Sequence, residues 1–457
     1  MEAETRTLGS ALGSAVAAAL VIAALTVPLA GGWAQAAPAQ TLEIWVHEFP
    51  PLQDALSKKW IPEFQTAHPG VRVKVTAIPF AGVVAYDAKL LSALSSGAGP
   101  DLWDMGDWHY KVFMDNKFLA PLDPTIFGYA SARDMIDAYV PGTTSIFERD
   151  GKLYGLFSEY NTLALFYNLD MFNAAGVAPL SADTPVSWRM IADMAKKLTK
   201  RDSAGKLTQI GYRFGFFANF RSPQWYAQDF YALMRQYGQP DLTVDGKPAV
   251  TTKPVTDAFK LMYDFTWSDK VYDPSFPANW FADLPQGRVA MLLAGTWFVP
   301  AMIPHNPNVH FGVAPHPVVD PGNRSTYHNV EWSWGWSINA NKPQAAQRLA
   351  QQFLAAILGK KGETDQAVWW FKTVGYTHPK KAFYQSTGYQ QELVKNPWLR
   401  TWENAFTTYK IDYVTHNFDE VGQALIRAID RVVYDQTQPA DTARLLQAEL
   451  QRLLGTK

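Results

Sequence analysis

The sequence comprises 457 residues, of which 47% are hydrophobic and 18% are charged, and it contains no cysteine. This composition is typical of a folded protein of about two domains, and it excludes disulfides, thiolate metal sites and a cysteine nucleophile. The 41 basic and 42 acidic residues nearly cancel, so the charge balance does not suggest nucleic acid or an anionic membrane as a partner.

The amino-terminal segment has the pattern of an export signal. Residues 7–42 carry no charged side chain, residues 15–30 are almost wholly apolar, and Ala34 and Ala36 form the A-x-A pattern that a signal peptidase recognises. The apolar stretch is short for a membrane span of about 20 residues, so a membrane anchor is only the second interpretation. A lipoprotein anchor would require a cysteine. We therefore predict a signal peptide over residues 1–36 and a soluble protein exported to the periplasm.

The next segments alternate between the periods of strands and helices. Apolar residues at every second position over residues 42–46 predict a strand, and apolar residues at every fourth position over residues 52–64 predict a helix. A second strand is predicted over residues 71–75, a second helix over residues 86–94, and a loop with a short strand in "GAGPDLWDMGD". This order predicts an α/β protein whose sheet carries helices on both faces.

The rest of the chain is predicted to be mainly helical around one long strand. "KLYGLFSEYNTLALFYN" predicts a strand-like segment near Gly155, and "SWRMIADMAKKLTK" predicts a helix. Residues 212–238 form a largely helical stretch that is rich in aromatic residues. At the carboxyl end, apolar residues line one face of a helix over residues 421–432, and a second helix follows Pro439, where proline suits the first turn.

No motif in the sequence predicts catalysis. The chain lacks a G-x-S-x-G elbow, an H-E-x-x-H pair, a P-loop and a G-x-G-x-x-G motif after a strand. Asp101, Asp104 and Asp107 are spaced so that they could bind a cation or supply a glycosidase pair, but the favoured interpretation is structural, with Asp101 as a cap. We predict no enzyme activity, no metal site and no cofactor.

Five segments in order resemble the family 1 extracellular solute-binding proteins of ABC importers, the group that includes maltose-binding protein. The resemblance covers about residues 42–455, and its most distinctive part is a Gly-x-x-Ala-Met run that ends in Gly-x-Trp. The chain departs from the family pattern at Phe157, where proline is common, and in "VEWSWGW", where small residues are usual. The segments are "GPDLWDMGDWHYKVFMDNKFLAPLD", "DGKLYGLFSEYNTLALFYNLDMF", "FADLPQGRVAMLLAGTWF", "WSWGWSINANKPQAAQRLAQQFL" and "FDEVGQALIRAIDRVVYDQTQPADTARLLQAELQRLL".

The resemblance implies the type II periplasmic-binding-protein fold, in which two α/β lobes close on a ligand in the cleft between them. One lobe is expected over residues 37–159 and 312–375, and the other over residues 160–311 and 376–457. The implied function is that of a monomeric, periplasmic component of an ABC importer, which binds a mono- or oligosaccharide and delivers it to the membrane permease. Ligands of open α/β sheets bind beyond the carboxyl ends of strands, which agrees with this arrangement.

Ten residues are candidates for contact with the ligand. Trp297 is the first, because it matches a family position and stands beyond a predicted strand, where its flat ring can cover the C–H face of a sugar. Asn161 matches a position that commonly contacts sugar, with a hinge hydrogen bond as the alternative. The full set is Trp297, Asn161, Glu48, Trp108, Asp104, Glu159, Arg221, Trp225, Trp334 and Trp45.

Two structural alternatives remain open among these tryptophans. Trp45 alternates with the core face of its strand, so it either faces the cleft or packs under a helix. Trp332, Trp334 and Trp336 share one face of a predicted strand, so either all three pack under a helix or one of them reaches the cleft.

Two other functions also remain open. A binding protein for glycerol-3-phosphate or a glycerophosphodiester would need several cationic residues in the cleft, and only Arg221 stands among the candidates. A secreted glycosidase would need two carboxylates about 5–9.5 Å apart, and the sequence does not indicate such a pair.

Overall fold

The computed structural model of the protein describes residues 40–79, 83–215, 223–274, 276, 279–414 and 420–455. The predicted signal peptide over residues 1–36 and the candidate Arg221 lie outside the described residues. Within the described ranges, no helix combines the length and the apolar character needed to cross a membrane.

Strands and helices alternate through the first part of the chain, and helices dominate the last part. The described strands are β1 (Gln40–His47), β2 (Val71–Ile78), β3 (Leu102–Gly106), β4 (Glu148–Arg149), β5 (Lys152–Leu153), β6 (Leu156–Phe157), β7 (Ala164–Asn168), β8 (Lys200–Arg201), β9 (Leu207–Gln209), β10 (Thr243–Val244), β11 (Lys247–Pro248), β12 (Met291–Ala294), β13 (Phe311–Ala314), β14 (His328–Val330), β15 (Trp334–Ile338) and β16 (Lys410–Asp412). The described α-helices are α1 (Pro50–Ala55), α2 (Ile61–Ala67), α3 (Val83–Ser95), α4 (Tyr110–Asp115), α5 (Ala132–Asp137), α6 (Leu169–Ala174), α7 (Trp188–Leu198), α8 (Pro223–Gln236), α9 (Lys253–Tyr263), α10 (Phe298–Met302), α11 (Gln344–Leu358), α12 (Asp365–Val374), α13 (Lys381–Gln385), α14 (Thr387–Lys395), α15 (Arg400–Thr408), α16 (Glu420–Val433) and α17 (Pro439–Leu454).

The first sheet has five strands in the order β2-β1-β3-β15-β6. β1 runs parallel to β2 and β3, and β15 lies antiparallel between β3 and β6. Leu42, Ile44 and Val46 on one face of β1 are fully buried in the core that includes the following helical segment. Trp103 and Met105 of β3 belong to a second apolar cluster, which they share with α3. Helices therefore cover both faces of this sheet, as the alternation of the sequence predicts.

The second sheet has three strands, with β7 antiparallel to both β12 and β13. Every residue of β7 and β12 is buried, which explains why both strands are continuous apolar runs without alternation. The pairing of β13 with β7 places residues 311–314 in this second sheet. Helices α8 and α9 pack against α16 and α17, which come from the carboxyl end of the chain.

Three segments lie side by side where the two sheets are joined. Residues 158–163 lead from β6 to β7, and residues 331–333 lead into β15. Thr162 and Glu331 form an antiparallel bridge, and the main-chain N–H of the residue after Glu331 donates to the carbonyl of Asn161 at 3.2 Å. The third segment is residues 375–380, between α12 and α13, where the carbonyl of Thr377 accepts from the Tyr160 N–H at 2.9 Å. These three segments are called the crossing segments below.

Candidate functional site

Two Gly-x-Trp corners stand at the ends of strands, one in each sheet. In the first corner, which ends β3, a Cβ on Gly106 would lie 2.1 Å from Cζ2 of Trp108. In the second corner, directly after β12, a Cβ on Gly295 would lie 2.5 Å from Nε1 of Trp297. Each indole therefore folds back over its glycine and occupies the place that a side chain would take. This contact explains why a glycine precedes each of these large rings.

Trp332 contacts aromatic rings that come from both sheets. Its ring centroid lies 6.5 Å from that of Trp108 and 6.0 Å from that of Trp297. It lies 6.3 Å from Trp225, at the start of α8, and 6.2 Å from Tyr376, in a crossing segment. The four neighbours are at most 9% exposed, whereas Trp332 is half-buried. These five residues are called the ring cluster, and their spacings are those of interacting aromatic pairs.

The three tryptophans at β15 occupy three different environments. Trp334 stacks on His47 with a centroid distance of 3.7 Å and meets Trp108 edge-on at 5.2 Å. Trp336 is 1% exposed and belongs to the main core. Trp332 precedes the strand, and it is the one of the three whose recorded contacts reach Trp297 in the second sheet.

A network of buried polar groups fixes His47 beside Trp334. The Asp104 carboxylate accepts the main-chain N–H of His47 at 3.0 Å and contacts its ring Nδ1 at 2.5 Å. The hydroxyl of Tyr86 donates to the same carboxylate at 2.8 Å. Burial, reinforced by Asp104, raises the pKa of Tyr86 well above its usual value, so this hydroxyl stays protonated and remains a donor.

Three more carboxyl groups are buried in this region, on Asp107, Glu159 and Glu331. Burial raises the pKa of each carboxyl well above its usual value. Repulsion by Asp107 adds to the rise at both glutamates. Glu159 accepts from the Trp334 N–H at 3.2 Å, and Glu331 accepts from the Ser333 hydroxyl at 2.9 Å. Within the described part of the chain, Oδ2 of Asp107 has no hydrogen-bond partner.

Asn161 links a crossing segment to the second Gly-x-Trp corner. Its Oδ1 accepts from the hydroxyl of Thr296 at 3.3 Å. Its Nδ2 is buried and lacks a partner among the residues that the structure describes, as does Nε1 of Trp332. The site therefore contains buried donors and a buried acceptor that a polar ligand can satisfy, because an unpaired buried polar group costs free energy.

Two of the sequence candidates stand apart from the ring cluster in their recorded contacts. Trp45 is half-buried on β1, where Nζ of Lys89 lies 5.7 Å from its ring and Glu43 accepts from its Nε1 at 3.4 Å. Glu48 follows β1 and is exposed. Trp108, Trp225 and Trp297 lie in the cluster itself.

A small cavity of about 20 Å³ adjoins the polar network. This volume accommodates about one water molecule, so a sugar enters there only if neighbouring rings move. Trp370 and Tyr376 line the cavity, and neither is among the ten candidates taken from the sequence. Trp370 lies within α12 and Tyr376 follows its end, and their aromatic character was the only available signal. The lining residues are His47, Phe49, Leu52, Asp104, Ser158, Glu159, Trp334, Trp336, Trp370 and Tyr376.

Comparison with known sequences identifies one matching family and several distant relatives. The sequence model of the bacterial extracellular solute-binding proteins matches residues 49–364. A putative binding protein of Brucella abortus (strain 2308) is 25% identical over 286 residues, which is 62% of this chain and 64% of that relative, less than two thirds of its length. The arabinooligosaccharide-binding protein of Bacillus subtilis (strain 168) is 21% identical over 357 residues, which is 76% of each chain.

Solved structures share the fold at low sequence identity. Maltose-bound MalE3 of T. maritima has a TM-score of 0.72 and 17% identity, and the match covers 91% of this chain and 100% of that chain. UgpB from Mycobacterium tuberculosis, in complex with glycerophosphocholine, has a TM-score of 0.74 and 17% identity over 91% of this chain and 98% of that chain. These matches confirm the predicted two-lobed α/β fold, and at such identities they concern the fold alone.

Proposed function

This chain belongs to the family of bacterial extracellular solute-binding proteins, and from that premise we propose that it captures a carbohydrate and delivers it to the membrane permease of an ABC importer. The proposal includes export to the periplasm, action as a monomer, and release of the ligand without chemical change. The arabinooligosaccharide-binding relative of Bacillus subtilis supports a sugar as the ligand class.

The observation that carries the proposal is the ring cluster together with its buried polar neighbours. A sugar presents a face of C–H groups, which a flat indole covers, and an edge of hydroxyls, which carboxyl and amide groups satisfy. Trp297 and Trp332 supply rings, while Asn161, Glu159 and Asp104 supply buried polar groups close by. Both kinds of group occur where segments from the two sheets meet.

The two sheets form the cores of the two proposed lobes. The first lobe contains the five-stranded sheet, and the second contains β7, β12 and β13. The pairing of β13 with β7 favours a return of the chain to the first lobe near residue 331 rather than at residue 312. The proposed ligand contacts both lobes, so it stabilises the closed arrangement over the open one.

The buried carboxyls offer no cationic partner to an anionic ligand such as a glycerophosphodiester. In the described part of the chain, the groups that shift the pKa values of Asp107, Glu159 and Glu331 include no lysine or arginine. Burial favours the neutral form of these carboxyls, which can donate to and accept from sugar hydroxyls but supply no positive charge for an anion. A glycosidase needs a pair of carboxyl groups, and these carboxyls lie in one region, so hydrolysis of the ligand has to be tested as well.

A thermal-shift screen of the mature protein, with product analysis, tests the proposal. The panel contains neutral mono- and oligosaccharides, polyols, glycerol-3-phosphate and glycerophosphodiesters. We expect a neutral sugar to raise the melting temperature, since free ligand at 100 times Kd stabilises a protein by about 2.7 kcal/mol. Chromatography of the same samples is expected to show unchanged sugar. Stabilisation by phosphodiesters alone would refute the ligand class, and hydrolysis products would refute binding without chemistry.

A further inference from the structure

Trp332 is held by the main chain at the junction of the two sheets. It follows Glu331, which bridges to Thr162, and its own N–H donates to the carbonyl of Asn161 at 3.2 Å. Its position is therefore set by the crossing segments, whereas Trp108 and Trp297 are set by the strand ends of separate sheets. A ligand that extends from one corner to the other therefore has to contact the Trp332 ring.

The spacing of the rings leaves no room for a further ring beside Trp332. Its centroid lies 6.5 Å from that of Trp108 with nearly parallel planes, 17° apart, and 6.0 Å from that of Trp297. A ring inserted between two others needs about 3.5–4 Å on each side, or roughly 7–8 Å in total. A sugar ring therefore does not fit between Trp332 and either corner ring at these separations.

Trp332 also offers a polar contact that the described part of the protein leaves unused. Its Nε1 is buried without a hydrogen-bond partner there, although the residue as a whole is half-buried. The side chain thus reaches both solvent and the buried cluster, and it presents a ring face and an unpaired N–H donor. A hydroxyl of a bound sugar can accept from this donor.

We propose that Trp332 is a specificity residue that limits the length of the ligand. It forms a partition between the Trp108 corner and the Trp297 corner, so a sugar that binds at one corner cannot extend past the indole to the other. Without the indole, the two corners face a common space, and a longer saccharide spans them. This inference rests on the proposed carbohydrate-binding function and adds the size of the ligand to it.

The test compares affinities for saccharides of one linkage and increasing length, from one to four sugar units. Calorimetry gives Kd for the wild type, Trp332→Ala, Trp332→Phe and Trp267→Ala. Trp267 is the matched control, because it is another half-buried tryptophan, whose Nε1 donates to the carbonyl of Val432 at 2.8 Å, outside the ring cluster. Melting temperature and circular dichroism confirm that each variant folds.

We expect Trp332→Ala to shift the preference toward longer saccharides by at least tenfold relative to the shortest one that binds. Trp332→Phe and Trp267→Ala are expected to keep the wild-type order. If the alanine variant does not fold, Trp332→Leu replaces it, because leucine fills part of the space without a flat ring. The same shift toward longer saccharides is then expected. An equal loss at every length, or no change at any length, would overturn the inference. Failure of the wild type to bind any sugar would instead overturn the proposed function on which the inference rests.

Discussion

Replacing Gly295 with alanine tests whether the ring of Trp297 has to fold over the main chain. The new Cβ would lie 2.5 Å from Nε1 and 2.8 Å from Cδ1 of that indole. An ordinary contact is about 3.5 Å, so the ring has to shift by about 1 Å. Overpacking of this kind costs about 1–3 kcal/mol of stability. The backbone itself accepts alanine, because Gly295 does not have a positive φ.

A double-mutant cycle assigns this cost to the ring. In a Trp297→Ala background the clash is absent, and Gly295→Ala should then stabilise the protein by about 0.4–1 kcal/mol, because alanine restricts the unfolded chain. The coupling energy between the two positions is therefore expected to be at least about 1 kcal/mol. Urea unfolding of the four ligand-free proteins measures it.

Binding of the proposed sugar ligand provides the second readout. If the Trp297 ring is displaced by about 1 Å, it no longer matches the ligand. We therefore expect Gly295→Ala to weaken binding about tenfold or more, equivalent to about 1.4 kcal/mol. The reasoning is refuted if Gly295→Ala costs the same stability with and without the indole. The glycine would then serve the main chain rather than the ring.

Two further predictions concern the buried carboxyls and the lobes. Burial raises the pKa of Glu159 above its usual value of 4.5, so the folded protein holds this proton more tightly than the unfolded chain and loses stability as the pH rises from about 4.5 through the folded pKa. Glu159→Gln keeps the oxygen that accepts from Trp334 but cannot ionise. The melting temperature of this variant relative to the wild type should therefore rise between pH 5 and pH 8. A difference in melting temperature that does not change with pH would contradict the raised pKa of Glu159. Small-angle scattering should show a smaller radius of gyration with saturating sugar than without it, and an equal radius would contradict ligand-driven closure.

Local patterns predicted the first sheet because its strands and helices have distinct periods. The alternation over residues 42–46 corresponds to β1, and the helix predicted over residues 52–64 corresponds to α1, a π-helical turn at Leu56–Trp60 and α2. The lobe boundary near residue 312 could not be derived in this way. The apolar run of β13 shows that a strand is buried, but its partner β7 lies far away in sequence, and only tertiary pairing decides between the sheets.

Some residues of the site could be predicted from local sequence, and others depend on tertiary packing. Trp297 could be selected because it follows a strand and a glycine, and Trp108 because it follows Pro100 and Asp101 in the segment of the third predicted strand. Tyr376 could not, because its place depends on how the segment after α12 packs against the other crossing segments. Trp45 shows the limit of alternation: period 2 places it opposite Leu42 and Ile44, but it does not tell whether a helix or a cleft covers that face.

The contacts within the ring cluster bear on where affinity for a sugar originates. Trp297 and Trp332 already pack against aromatic neighbours without a ligand, so a sugar that displaces one of these contacts gains only the difference between ring–sugar and ring–ring packing. The unpaired polar atoms have no such competing contact in the described part of the chain, and Nδ2 of Asn161 and Oδ2 of Asp107 are both buried. Pairing them with hydroxyls removes a desolvation penalty of about 1–3 kcal/mol each. Discrimination between sugars should therefore follow the positions of their hydroxyls more closely than their apolar area.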